Sequence, residues 1–137
     1  MEAIKGLIRW TYVEELALIE DLIKAKDVES LIKKIEGVTE VNLNCAGIGD
    51  AGVKVLITSL KSNNTVTTIS LYNNNIGDAG ANALAKSFES NSTVTNIFLF
   101  NNNIGDAGAK AFVTTLESNN TLTTINLESN SISNEGK

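Results

Sequence analysis

The sequence predicts an α/β solenoid, a right-handed stack of units that each contain one short strand and one helix. A similar stretch of sequence recurs at a fixed period. The successive units begin at four equally spaced residues, Val38, Val66, Val94 and Leu122. A period of roughly 20–50 residues is typical of stacked supersecondary units. The predicted repeats span 38–65, 66–93, 94–121 and, as a partial fourth unit, 122–137.

The strand comes first in each unit. In the third unit Val94, Ile97 and Leu99 lead into an asparagine-rich turn, and Ile104 follows the turn. Apolar residues at period two are typical of a short strand. Because such a strand has only one face to bury, neighbouring units must stack to complete a core.

The helix follows the turn. Asp106 is a good N-cap residue, Phe112 and Leu116 lie one helical turn apart, and Asn119 can end the helix. Gly108 falls in the first helical turn, where glycine costs about 1 kcal/mol relative to alanine. Close approach of the helix to the strand would explain that cost.

The strand segment resembles that of leucine-rich repeats of the ribonuclease-inhibitor type. Its consensus reads LxxLxLxxNxL, and its five fixed positions hold Leu122, Ile125, Leu127, Asn130 and Ile132. The resemblance covers about 100 of the 137 residues. It implies a horseshoe segment with a parallel concave sheet and convex helices.

The same resemblance implies a structural ladder formed by Asn74, Asn102 and Asn130, whose buried side-chain amides would satisfy backbone groups of adjacent turns. The first unit departs from the pattern because Ala46 occupies its ladder position. We therefore expect a looser or differently capped turn there.

Two short segments are similar to parts of the C-terminal repeat domain of tropomodulins. They are EVNLN at residues 40–44 and NLESN at residues 126–130. This resemblance implies an actin-regulating role, which we keep as a less favoured alternative because fold does not fix function.

Residues 1–37 lack the repeat and are predicted to form an N-terminal helical cap. Thr11 and Glu14 form a capping box before a helix that is apolar over a wide arc, and Asp27 precedes a second helical stripe. The wide apolar arc is covered either by residues 1–10 or by another chain.

Composition argues against several function classes. The chain has no histidine, and its one cysteine, Cys45, suits a reducing compartment. The net charge of −5 disfavours nucleic-acid binding. With no membrane span or signal peptide evident, we expect a cytoplasmic, non-enzymatic protein without metal, cofactor or small-molecule substrate. The sequons at Asn63, Asn91 and Asn119 recur at the repeat period and are interpreted as turns.

The predicted concave face carries three aromatic residues, Tyr72, Phe98 and Phe100, which we predict to bind a protein partner. Alternatively, these aromatics only pair across strands and stiffen the sheet. The polar positions predicted to surround them on the exposed face are Ser70, Asn96, Asn126 and Glu128.

The fourth unit reaches Lys137 before a complete helix, which predicts an open C-terminal edge at Leu122, Ile125, Leu127 and Ile132. Two explanations remain open: the natural chain continues, or a second copy covers the edge. The second explanation makes a self-associating homodimer the alternative to a protein-binding scaffold.

Overall fold

The computed structural model describes residues 19–132, in which strands and helices alternate along the chain. Residues 19–24 are helical. The elements that follow are α1 (Val28–Lys34), β1 (Glu40–Asn42), α2 (Gly49–Leu60), β2 (Thr68–Ser70), α3 (Asp78–Phe88), β3 (Asn96–Phe98), α4 (Asp106–Ser118) and β4 (Thr124–Asn126).

The four described strands form one parallel sheet in the order β1-β2-β3-β4. Neighbouring strands pair with a constant offset of 28 residues, so that Val41 lies beside Ile69, and Ile69 beside Ile97. These three central side chains are fully buried, while α1 to α4 pack on one another in chain order. The predicted α/β fold with a parallel sheet is therefore confirmed.

One hydrophobic core runs through the described repeats, from Ile19 to Leu122. Its largest fully buried side chains include Phe88 and Phe112, which come from the helices, and Leu71 and Leu99, which follow the strands. Because each unit supplies one strand and one helix to this core, no unit buries its apolar side alone.

The turn after each strand repeats one backbone conformation. Cys45, Asn73, Asn101 and Ser129 follow one another at the repeat period and have φ of 57°, 55°, 61° and 57°. Asparagine tolerates the left-handed region better than most residues because its side chain can bond locally. The asparagine-rich turns of the sequence thus serve a repeated backbone requirement.

The helix N-termini are capped differently from the sequence prediction. The N-cap of α4 is Gly105, and Asp106 is already the first helical residue. The carboxylate comes from the preceding unit: Asp78 Oδ1 accepts the N–H groups of Gly105 at 2.7 Å and Gly108 at 2.9 Å. Asp50 does the same for α3. Each of these aspartates therefore stabilises the helix that follows its own.

This contact also explains the glycine in the first helical turn. A β-carbon at Gly108 would lie 2.7 Å from Ile104 Cγ2, 2.8 Å from Asp78 Oδ1 and 2.9 Å from Ala81 Cβ. Two of these atoms belong to the preceding unit. Glycine is therefore required both by Ile104, which follows the strand of its own unit, and by the approach of the preceding repeat.

At the N-terminal end, the Asp27 side chain accepts the Ser30 N–H at 3.2 Å and caps α1. Leu31 and Ile35 from this segment are buried in the core. The capping box at Thr11 and the cover predicted for residues 1–10 lie outside the described residues. Between residues 19 and 132, the structure contains no helix of the length and apolar character that a membrane span needs.

Candidate functional site

The outer face of the sheet is built from three rows of side chains, on the side opposite the buried Val41, Ile69 and Ile97. The first two rows consist of residues that pair between neighbouring strands. The third row consists of the residues two positions after the end of each strand. In chain order the rows are Glu40, Thr68, Asn96 and Thr124, then Asn42, Ser70, Phe98 and Asn126, then Asn44, Tyr72, Phe100 and Glu128.

Two of the three predicted aromatic residues meet directly. The rings of Tyr72 and Phe100 stack with centroids 4.4 Å apart and an interplanar angle of 24°. Phe98 lies on the same face one row away, with Ser70 as its pairing partner on β2. All three aromatic side chains are half-buried, and we call them the aromatic cluster.

Ser70 does not have the exposure predicted for it. It is only 9% exposed, and its Oγ donates to Asn44 Oδ1 at 2.6 Å. The same Asn44 oxygen accepts the Tyr72 N–H at 2.9 Å. A short hydroxyl side chain beside the larger Phe98 is easily covered. The role of Ser70 on this face is therefore to donate a hydrogen bond to Asn44, not to contact a partner. Asn44 was not among the residues predicted to form the site, although its place in the third row was a signal.

The polar positions around the cluster are partly engaged within the chain. Asn96 Nδ2 donates to Thr68 Oγ1 at 3.3 Å, and Asn126 Oδ1 accepts the Glu128 N–H at 3.0 Å. Glu128 itself is exposed beside Phe100. The three rows contain two glutamates, at Glu40 and Glu128, and no lysine or arginine. The described face is therefore mildly acidic around an apolar centre.

The asparagines of the predicted ladder connect consecutive units. Asn102 Oδ1 accepts the N–H groups of Asn74 and Ile76, each at 2.9 Å, and its Nδ2 donates to the carbonyl oxygens of Leu71 at 3.0 Å and Leu99 at 2.9 Å. Asn130 Nδ2 likewise donates to Leu99 O at 3.0 Å. Each asparagine therefore serves the unit before its own.

This direction explains the alanine in the first unit. Asn74 Oδ1 accepts the N–H groups of Ala46 at 3.1 Å and Ile48 at 3.3 Å, so the asparagine contact is the same as in the later turns. The start of the following helix differs, as expected: Gly49 has a φ of 60° and donates its N–H to Asn74 O at 3.0 Å, whereas Gly77 and Gly105 donate to an aspartate of the preceding unit. An asparagine at position 46 would have served a preceding repeat, and α1 with its flanking helical residues lies there instead.

One residue of the predicted open C-terminal edge is less exposed than expected. Leu122 is 5% exposed and belongs to the core, and its N–H donates to Asn119 Oδ1 at 2.7 Å. Ile125 and Leu127 are half-buried and pack against the core. Ile132 is also half-buried.

Two exposed residues near this edge were missed. Among the described residues, the exposed large hydrophobic side chains are Val113 at 58% and Leu116 at 45%, both on α4. They line a groove of about 690 Å³ together with Ile125, Leu127 and Ile132. Alignment of the repeats was the signal available, since Ala85 and Phe88 occupy the same positions one unit earlier.

The other candidate sites in the described part of the chain are a metal site and the sequons. From residue 19 to residue 132, no group of three or more Asp, Glu, Cys or His side chains is placed to hold a metal ion. The sequon residue Asn63 is half-buried, and its Oδ1 accepts the N–H groups of Thr65 at 2.9 Å and Val66 at 2.8 Å. Its side chain therefore forms a turn.

Comparisons with known proteins point to one repeat class. The family model described as Leucine Rich repeat matches residues 38–56, 62–85, 90–113 and 118–136. Among solved structures, the chain is similar to Leiomodin-1 Actin-Binding Site 2 (ABS2), at 26% sequence identity and a TM-score of 0.68. That similarity covers 86% of this chain and 65% of the leiomodin chain. No curated protein matches.

Proposed function

The chain belongs to the leucine-rich-repeat family, and we propose that it is a non-catalytic module that binds a protein partner through the outer face of its sheet. The observation that carries this proposal is the stacked pair of Tyr72 and Phe100 on that face. Large aromatic side chains surrounded by polar residues are typical of the residues that dominate protein-binding energy.

The aromatic cluster is held in place before any partner arrives. Asn44 accepts the Tyr72 N–H, and Ser70 in turn donates to Asn44, so the backbone beneath the Tyr72 ring is fixed. A preorganised surface loses less conformational entropy on binding than a mobile one. Half-buried rings still expose apolar area that a partner can cover.

The alternative role for these rings is to stiffen the sheet, and it makes a different prediction. Stacking across strands contributes about 0.5–1.5 kcal/mol beyond area burial. If stiffening were their whole role, removal of the rings would lower stability and leave partner affinity unchanged. The experiment below therefore measures both quantities on the same variants.

A second candidate is an actin-binding module. It is supported by the similarity to the leiomodin segment known as Actin-Binding Site 2. Actin is the protein that the comparison identifies for a direct test.

The test compares the triple variant Tyr72→Ala, Phe98→Ala and Phe100→Ala with the wild-type chain. Ligands are monomeric actin, filamentous actin and peptides selected from a displayed library on the immobilised wild-type chain. If three central contacts are lost, affinity falls by at least about a hundredfold. Retained affinity for every ligand that binds the wild type would refute the assignment of this face.

A matched control replaces three exposed helix residues that avoid the sheet face. Thr58→Ala, Asn82→Ala and Thr114→Ala change no charge and put a good helix former on α2, α3 and α4. We expect this control to bind like the wild type. Far-ultraviolet circular dichroism and urea unfolding, run on all three proteins, separate loss of binding from loss of fold.

A further inference from the structure

One face of the Phe100 ring is turned toward a carboxylate that forms no ion pair with any of residues 19–132. Tyr72 stacks against the other face of this ring, with centroids 4.4 Å apart. The stack runs across the strands, since Tyr72 follows β2 and Phe100 follows β3. The second face of the Phe100 ring is therefore directed toward the next unit, where Glu128 holds the same row position.

The main chain places Glu128 beside Phe100 in the same way as it places Phe100 beside Tyr72. The Asn101 N–H donates to Glu128 O at 2.9 Å, and the Asn73 N–H donates to Phe100 O at 3.2 Å. Neighbouring strands of a sheet lie about 4.8 Å apart. A planar group bound above Glu128 can thus lie against the Phe100 ring, as Tyr72 does on the opposite side.

The backbone of Glu128 is fixed, while its side chain is exposed. Its N–H donates to Asn126 Oδ1 at 3.0 Å. Its carbonyl oxygen accepts the Asn101 N–H at 2.9 Å and the Asn130 Nδ2 group at 3.2 Å. The carboxylate can therefore turn toward a bound group without a rearrangement of the chain beneath it.

The charges on the sheet face complement a cation at this position. The three rows contain no lysine, arginine or histidine, and their two carboxylates belong to Glu40 and Glu128. The face of an aromatic ring attracts a cation that lies within about 6 Å of the ring centroid. Because the ring face and the carboxylate lie side by side, one cation can contact both.

We propose that the Phe100 ring and the Glu128 carboxylate together bind an arginine side chain of the protein partner. This proposal rests on the function proposed above and specifies the chemistry of the partner. A guanidinium is planar, so it can stack on the ring while its N–H groups donate to the carboxylate. A lysine ammonium is compact and strongly hydrated, and it cannot stack in this way. Arginine is therefore favoured over lysine.

The ring distinguishes this site from an ordinary surface carboxylate. An ion pair between two exposed side chains is weak, because water competes for both groups. Stacking on Phe100 removes water from one face of the guanidinium, and Tyr72 supports the ring from behind. The other carboxylate of the face, that of Glu40, has no aromatic residue in its row. Glu40 therefore provides a reference for charge alone.

The test begins with two displayed libraries of short peptides that differ only at the central position, which is arginine in one and glutamine in the other. Both are selected on the immobilised wild-type chain, and we expect stronger enrichment from the arginine library. The tightest arginine peptide is then made in fluorescent form, together with versions that contain citrulline or lysine instead. Citrulline keeps the planar shape of arginine and removes its charge.

Anisotropy titrations then locate the arginine. The citrulline peptide should bind the wild-type chain at least about tenfold more weakly than the arginine peptide, with the lysine peptide in between. Glu128→Gln should weaken the arginine peptide by a similar factor and leave the affinity of the citrulline peptide unchanged. This pattern is expected because either change removes one member of the same ion pair.

The matched control is Glu40→Gln, which makes the same charge change on the same face. Glu40 lies two strands and four residues from Phe100, a separation of roughly 16 Å, whereas the Debye length is about 8 Å at physiological ionic strength. We expect this control to change affinity by less than about twofold. Both glutamates are exposed and glutamine has a similar size, so circular dichroism should show that both variants fold.

Several results would overturn the proposal. They are no binder from the arginine library, equal affinity of the arginine peptide and either of its substituted versions, and equal weakening by Glu40→Gln and Glu128→Gln. A peptide that loses affinity for the triple alanine variant of the aromatic cluster, but not for Glu128→Gln, would overturn the arginine site and leave the sheet-face function intact. Full retention of arginine-peptide binding by the triple variant would count against both.

Discussion

The replacement Asn102→Ala removes the central member of the asparagine ladder, and its cost follows from the hydrogen bonds of that side chain. Asn102 is buried, and its Oδ1 is the acceptor for the N–H groups of Asn74 and Ile76. Alanine leaves both N–H groups without this acceptor. Its methyl group also leaves the Leu71 carbonyl without the Nδ2 donor.

Each buried donor left unsatisfied costs about 1–3 kcal/mol, so two donors cost about 2–6 kcal/mol. The Leu99 carbonyl adds little to this loss because Asn130 Nδ2 also donates to it. We expect the free energy of unfolding to fall by about 4 kcal/mol. That is a large fraction of the roughly 5–15 kcal/mol typical of a whole domain.

The measurement is urea unfolding followed by circular dichroism at 222 nm. With an m-value of about 2 kcal/mol/M, the midpoint should fall by about 2 M. The matched control is Asn103→Ala, the next residue, whose exposed side chain donates to Asn75 Oδ1. We expect this control to lose less than about 0.5 kcal/mol. Equal losses for the two variants, or a loss under about 1 kcal/mol for Asn102→Ala, would refute the ladder energetics.

Two further predictions follow from contacts between units. Gly108→Ala should destabilise the chain by about 1–3 kcal/mol although alanine is the better helix former, because its β-carbon meets Ile104 and Asp78; a rise in melting temperature would contradict this. A double-mutant cycle with Tyr72→Ala and Phe100→Ala, measured by urea unfolding, should give a coupling energy of about 0.5–1.5 kcal/mol; additive losses would show that the stack contributes nothing beyond burial.

The repeat class and the parallel sheet could be predicted because a fixed repeat period and period-two apolar residues can both be read directly from the order of residues. The starts of the helices could not. Asp106 has the residue type and position of an N-cap, but Gly105 occupies the cap because the carboxylate comes from Asp78, 27 residues earlier. Local propensity contains no information on a contact between units.

The exposure of individual side chains also depended on neighbours that single-strand reasoning omits. Alternation places Ser70 on the outer face, and the structure places it there, but Asn44 from the preceding unit binds its hydroxyl. Leu122 was predicted at an open edge and is buried, while Val113 and Leu116 on the adjacent helix are exposed. In each case the deciding contact, or its absence, lies one repeat away.

The opposite directions of the two polar contacts have a consequence for rebuilding the chain. Asp78 accepts a hydrogen bond from Gly108 of the next unit, whereas Asn102 accepts one from Ile76 of the preceding unit. The interface between the second and third units is therefore bonded by a side chain from each of them. A transplanted repeat would have to bring both residues to join its neighbours. An array spliced from units that lack either residue would lose these hydrogen bonds between neighbouring units and would be less stable at that interface.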